Sequence, residues 1–287
     1  MIASFMLRHS KIYELCASLG LDTLYLRMLR LREPRVLSDG EKKPSILEYA
    51  DGFRMKLDYK DKYDFYYLSQ WKESNGSYEV KTSTYLKKIL KHGDSFIDGG
   101  ANAGYYSMFA SELIGQEGRV YAFEPAPIPF KKMKKNIQIN RLHNIKLYKM
   151  GIGDTDKEAD FNLSDRDSSG SSFLSLSGLS NTIKVKIFRL DTLFPDGIKS
   201  LKAIKLDLEG YENEAIIGAK NLIRKSKPTI IFEFNYRTLF DKDRHYNEVF
   251  DSLQKLGYSK FIESETGNSV ERYSDLSHLY TNVIALG

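Results

Sequence analysis

The stretch Phe96-Ile97-Asp98-Gly99-Gly100-Ala101-Asn102-Ala103-Gly104, followed by Val120-Tyr121-Ala122-Phe123-Glu124-Pro125, decides the fold class. An apolar run that ends in an acid and closely spaced glycines reads as a buried strand turning sharply into a helix, because glycine admits positive φ and lets backbone approach a ligand. A carboxylate at the end of the next strand, about 20 residues on, has the spacing at which an acid accepts both hydroxyls of a ribose. Gly104 and Glu124 stand in that relation. The pattern predicts a nucleoside-type ligand bound by Asp98, Gly100, Asn102, Gly104 and Glu124.

Outward from this loop, strand and helix patterns alternate. Strands are predicted at 95–98, 119–124 and 145–150, with helices at 105–113 and 128–140 between them. Continuous βα alternation implies a parallel sheet covered by helices on both faces. Residues 161–182 break the rhythm with serine and glycine, and read either as a loop over a ligand site or as a surface excursion. Strands at 183–189, 203–208 and 229–234 and helices at 212–224 and 246–256 resume it, and strands at 258–262 and 281–286 close an antiparallel edge.

The amino-terminal part is of a different kind. Ile12, Leu15, Cys16 and Leu19, then Leu24, Met28 and Leu31, recur at helical spacing with Gly20 between them. The second of these helices carries Arg27, Arg30, Arg32 and Arg35, an edge suited to packing on the main domain, to an acidic partner or to peripheral contact with an anionic membrane. Residues 46–57 read as a hairpin at the edge of the main sheet, the aromatic run from Tyr59 to Trp71 as packing or as the lining of a substrate mouth, and 83–90 as a helix. The division expected is an extension over 1–80 and a Rossmann-like domain over 81–287.

Composition limits the function classes. With 41% hydrophobic and 28% charged residues in 287, the chain is that of an ordinary globular protein. A net charge of +5 is mild, and Lys131, Lys132, Lys134 and Lys135 read as a solvated helix face, so nucleic acid is not the expected partner. The single cysteine, Cys16, excludes an internal disulfide and a cysteine-rich zinc site, which points to a reducing compartment and a cytoplasmic location. No apolar run reaches the roughly 18 residues of a membrane span, and residues 1–7 lack a signal core.

A second segment, Ile204-Lys205-Leu206-Asp207-Leu208-Glu209-Gly210, puts Lys205, Asp207 and Glu209 on one face of a predicted strand. Unpaired buried charge costs several kcal/mol, roughly, so such a row is either mutually paired or functional. Its place at a strand's carboxyl end, where open α/β sheets bind ligands, favours function. Glu233, alone in Ile230-Ile231-Phe232-Glu233-Phe234, faces the same cleft by the same reasoning. Asp154, after Gly151-Ile152-Gly153, is placed to meet an adenine amino group or simply to cap a turn. His92, His143 and His245 have no ligand spacing, and of these only His245 follows the Glu233 strand.

Taken together, Phe96 to Ser107, Phe123-Glu124-Pro125, Arg189-Leu190-Asp191-Thr192, Ile204 to Glu212 and Pro228 to Glu233 resemble, in order, the motifs of the FkbM family of S-adenosylmethionine-dependent methyltransferases. The resemblance covers about residues 78–262, and Gly99 departs from the valine usual at its position. It implies a class I methyltransferase fold, a seven-stranded, mostly parallel sheet with helices on both faces, with S-adenosylmethionine in the loop and Glu124 on the ribose. It also implies methyl transfer to an oxygen, on a sugar, glycan or other small polyhydroxylated acceptor. Asp207 is then the candidate general base, Lys205 its orienting partner, and Glu233 a hydrogen-bonding or alternative base.

Other readings stay open. A divalent metal among Asp207, Glu209 and Glu233 is one. An NAD(P)-dependent oxidoreductase is disfavoured because the frame Asp98-x-Gly100-x-Asn102-x-Gly104 is not GxGxxG. A non-catalytic nucleoside-binding scaffold and a nucleic-acid methyltransferase complete the set.

Overall fold

The computed structural model describes residues 45–58, 62–162, 173–174 and 182–287. Its main element is an eight-stranded sheet. In chain order the strands are β1 (Ser45–Glu48), β2 (Arg54–Leu57), β3 (Ser95–Gly99), β4 (Arg119–Phe123), β5 (Ile145–Tyr148), β6 (Gly151–Ile152), β7 (Lys157–Asn162), β8 (Phe173–Leu174), β9 (Thr182–Phe188), β10 (Leu201–Leu206), β11 (Thr229–Asn235), β12 (Lys260–Glu263), β13 (Ser269–Val270) and β14 (Tyr280–Leu286). The main sheet runs β13-β12-β14-β11-β10-β3-β4-β5, parallel from β11 to β5 and antiparallel from β11 to β13.

The central strands are apolar on both sides because helices cover both faces. Ile97, Ile204, Ile230 and Val283 point into one cluster with Leu222, Phe250 and Leu253 of the helices Lys220–Ser226 and Glu248–Lys255. Their neighbours Phe96, Ala203, Ile231 and Ile284 point into the other with Phe109 and Leu86, from the helices Tyr105–Ile114 and Val80–Ile89. This is the Rossmann-like class I arrangement, with β13 added to the seven strands expected.

Three elements differ from the sequence expectation. The hairpin β1-β2 forms a sheet of its own, off the edge of the main one. It cannot extend that edge because the backbone of β2 is held by side chains instead: Arg54 N donates to Asn140 Oδ1 (2.7 Å) and Lys56 N to Asn136 Oδ1 (2.8 Å), both on the helix Pro127–Asn140. Strand 183–189 joins no parallel core; it is β9, in a four-stranded sheet ordered β6-β9-β7-β8. Its burial alternates, as suits a sheet with one face in solvent. The helix expected over 212–224 is broken at Ala219 into Glu212–Gly218 and Lys220–Ser226. Asp191 supplies the break with a cap, accepting from Asn221 N and Leu222 N at 3.0 and 2.9 Å.

The hairpin, the helix Lys62–Glu73 and the main sheet share one apolar cluster. Tyr49, Phe53, Met55 and Tyr67 lie in it beside Tyr105 and Phe109. Tyr49 stacks on Phe53 at 5.0 Å, and both meet Tyr105 edge-on. The paired amino-terminal helices and most of the serine-rich stretch fall outside the described residues. Among the described residues no helix is long and apolar enough to cross a membrane.

Gly218 measures how tightly one helix sits on the sheet. A Cβ there would stand 1.8 Å from the carbonyl oxygen of Gly153, so even a methyl group has to displace backbone. Gly218→Ala should destabilise by about 1–3 kcal/mol. Thermal unfolding checks this; an unchanged midpoint would show that the approach is looser than described.

Candidate active site

The loops after β3 and β10 meet at the carboxyl ends of adjacent strands. Asp207 N donates to Gly99 O at 3.0 Å, and a Cβ on Gly100 would lie 1.9 Å from the Asp207 carbonyl oxygen. With φ at +79°, position 100 needs glycine for both conformation and space. Gly99, by contrast, lacks a side chain where the Ile152 methyl fills the room, 2.7 Å from where a Cβ would stand. The departure from valine is therefore accommodated by Ile152.

The loop is pinned from β4. Gly100 N and Ala101 N both donate to Phe123 O at 3.0 Å. Glu124 Oε2 accepts from Asn102 N (2.9 Å) and Oε1 from Ala126 N (2.8 Å), fixing the carboxyl in plane with the loop. Each oxygen keeps a further lone pair for a donor such as a ribose hydroxyl. Burial pushes the Glu124 carboxyl up to about 7, against the pull of those two amides. Asp98, 2% exposed, accepts from Ser107 Oγ at 2.5 Å, and burial raises it to about 6. Asn102 Oδ1 is buried without a hydrogen-bond partner. An orphaned buried acceptor on a residue that lines the cleft fits a ligand that brings its own donor, as a nucleoside does.

One cleft, enclosing about 970 Å³ of space with its open mouth included, brings together Asp98, Gly100, Asn102, Glu124, Lys205, Asp207 and Glu233. Gly104 lies behind the loop with φ +96°, against Met133. Asp154 is not among the residues that line the cleft. Nor is His245, whose ring accepts from Asn247 N.

The row Lys205, Asp207 and Glu209 is not a continuous strand face. β10 ends at Leu206, and Glu209 takes a left-handed φ of 52° in the turn that follows. All three still line the cleft, because the turn rather than the pleat aims the last two. Lys205, 1% exposed, donates to Asp207 Oδ2 at 3.3 Å. Burial alone would lower its affinity for a proton; Asp207, Glu79, Glu233 and Asp98 around it more than offset this and hold it charged. Glu233 is pushed well above the ordinary carboxylate range by burial and by the neighbouring Asp207 and Glu209. Burial likewise raises Glu209 to about 8 and Glu212 to about 7. Glu212 Oε1 accepts from Leu208 N at 2.7 Å and Gly210 N at 3.3 Å, which shapes the turn. Among the described residues no three His, Cys, Asp or Glu side chains converge closely enough to hold a metal.

Sequence reasoning singled out none of the aromatic residues on the other wall. Tyr67, Tyr78, Tyr106 and Tyr280 line it, the first from the aromatic run flagged only as a possible mouth. Tyr106 is the second residue after the glycine loop, buried in the first turn of the helix Tyr105–Ile114, and its nearness to that loop is the available signal.

The buried carboxyls give a pH dependence with a definite sign. Unfolded, Asp98, Glu124 and Glu212 release protons near 4; folded, they keep them to about 6, 7 and 7. Between those values the unfolded chain binds fewer protons, so stability is full below about pH 4 as far as these groups go and falls as pH rises through 7. The ligand-free protein should lose thermal stability from pH 5 to 7.5, less steeply in Glu212→Gln. Scanning fluorimetry across that range checks it; a rising midpoint would contradict the burial of these groups.

The family model described as Methyltransferase FkbM domain matches residues 98–260. A probable cobalt-precorrin-6B C(15)-methyltransferase (decarboxylating) of Sulfolobus acidocaldarius is 30% identical over 69 residues, 24% of this chain and 36% of its own. Ribosomal RNA large subunit methyltransferase E of Methanobrevibacter smithii is 40% identical over 62 residues, 21% of this chain and 30% of its own. The match thus spans about a third of the length of these curated relatives. The crystal structure of methyltransferase FkbM from Methylobacillus flagellatus KT is similar over 71% of this chain and 50% of that one, at 14% identity and a TM-score of 0.44.

Proposed function

The chain belongs to the FkbM methyltransferase family, whose domain covers more than half of its length, and we propose that it transfers the methyl group of S-adenosylmethionine to a hydroxyl oxygen of a sugar, glycan or other small polyhydroxylated acceptor. The observation that carries this reading is the Lys205–Asp207 pair in the same cleft as Gly100, Asn102 and Glu124. S-adenosylmethionine supplies a methyl group already activated on a sulfonium, so the chain's task is to align an acceptor and exclude water.

Glu124 and Asn102 Oδ1 are the groups that would hold the nucleoside. Asp207 accepts the acceptor's hydroxyl proton, and the Lys205 ammonium fixes the carboxylate that does so. Burial and the neighbouring Asp207 and Glu209 favour the protonated form of Glu233, which suits it to donate a hydrogen bond to the acceptor; of the two roles considered for it, the base role is the less fitting. Among the described residues lining the cleft, Lys205 is the one cation against Asp98, Glu124, Asp207, Glu209 and Glu233. Phosphodiester backbones are bound chiefly through Lys and Arg, so this charge balance supports a small uncharged acceptor over RNA.

Calorimetric titration with S-adenosylhomocysteine tests the cofactor end. Wild type should bind in the micromolar range and Glu124→Ala at least about tenfold more weakly. NADH binding in its place would return the oxidoreductase reading. Asp207→Asn should leave that affinity within about twofold while lowering methyl transfer from labelled donor, in an acceptor screen, by about 100-fold or more. Full turnover in Asp207→Asn would remove Asp207 as the base; cofactor binding with no transfer to any acceptor would favour the scaffold reading.

A further inference from the structure

Glu79 precedes the helix Val80–Ile89, outside the span the family domain covers, and its geometry is unusual for a plain helix start. It sits at φ 41°, ψ 61°, a left-handed conformation that is strained for a non-glycine residue. Its side chain makes no capping bond to the helix. Instead Oε2 accepts from Tyr106 Oη at 2.5 Å and from Asn282 Nδ2, on β14, at 2.7 Å. Its own N–H is held by Gln70 Oε1 at 2.9 Å, so the strained backbone is fixed from the helix Lys62–Glu73.

Tyr106 connects this carboxyl to the cleft. Lys205 Nζ stands 5.4 Å from the centre of the Tyr106 ring, within the range of a cation–π contact. A phenol that donates to a carboxylate has a more electron-rich ring, which strengthens its hold on an ammonium. Lys205 therefore has Asp207 as its hydrogen-bond partner and, within cation–π range, the Tyr106 ring, which is bonded in turn to Glu79. The other acidic side chains near it are Asp98 from β3 and Glu233 from β11.

We propose that Glu79 is a positioning residue for Lys205, acting through the Tyr106 ring and through its own charge, so that the ammonium is presented to Asp207. Its consequence for catalysis rests on the methyl-transfer reading above; the placement of Lys205 does not.

The test reads the lysine itself. In ligand-free protein labelled with 15N-lysine, the Lys205 ammonium, enclosed and paired, should give an Nζ signal at neutral pH that is absent from Lys205→Met. In Glu79→Gln, which keeps an acceptor for Tyr106 but loses the charge, the signal should shift and broaden, and in Glu79→Ala it should vanish. Tyr106→Phe should shift it while leaving it detectable. Cooperative thermal unfolding checks that all three variants are folded, and S-adenosylhomocysteine affinity should stay within about threefold in the two Glu79 variants. An Nζ signal unchanged in Glu79→Gln, or missing from wild type, overturns the proposal. Loss of S-adenosylhomocysteine binding in wild type would strike the methyl-transfer reading alone.

Discussion

The contact on which the rest depends is the abutment of Gly100 against the Asp207 carbonyl. In this sheet the chain proceeds from β3 outward through β4 to β5 and then crosses back to β10, so β3 and β10 flank the point where strand order reverses. Loops leaving such a pair diverge and open a crevice between them. Here the two loops are also locked together, by Asp207 N to Gly99 O and by a backbone approach that no Cβ would allow. The nucleoside side, built on Gly100 and Glu124, and the acceptor side, built on Lys205 and Asp207, are thereby held in a fixed relation. A chemistry that consists chiefly of alignment requires little more.

The second constraint is electrostatic. Asp207, Glu79, Glu233 and Asp98 surround one buried ammonium, Glu124 and Glu209 line the same cleft, and they cannot all ionise in so confined a space. Burial resolves the conflict by raising Glu233, Asp98 and Glu124, while Lys205 is shared among its neighbours and hydrogen-bonded to Asp207. A carboxyl that donates and a carboxylate that accepts can thus stand in one cleft, a division of roles set by environment and not by residue type.

Much of this was legible in the sequence because it rests on short-range rules. The glycine loop, Glu124 and the alternation of strands and helices follow from backbone freedom and apolar periodicity, and Lys205, Asp207 and Glu233 stood out as charges in apolar strands. What was not legible depends on contacts distant in sequence. Nothing local says that Asn136 and Asn140 hold the backbone of β2 and so divert the hairpin from the sheet edge. Nothing local says that strand 182–188 pairs with β6 and β7 in a separate sheet. Lys205, Asp207 and Glu209 share one cleft for a reason other than the pleat, since a turn with a left-handed Glu209 aims the latter two. Glu79 escaped notice because its partners, Tyr106 and Asn282, lie 27 and 203 residues away.

A crystal structure with S-adenosylhomocysteine tests this arrangement. The ribose hydroxyls should lie within hydrogen-bond distance of Glu124, a donor of the ligand on Asn102 Oδ1, and the sulfur should face the Lys205–Asp207 pair. A ligand bound elsewhere, or one in this cleft with Glu124 still bonded only to the amides of Asn102 and Ala126, would contradict it.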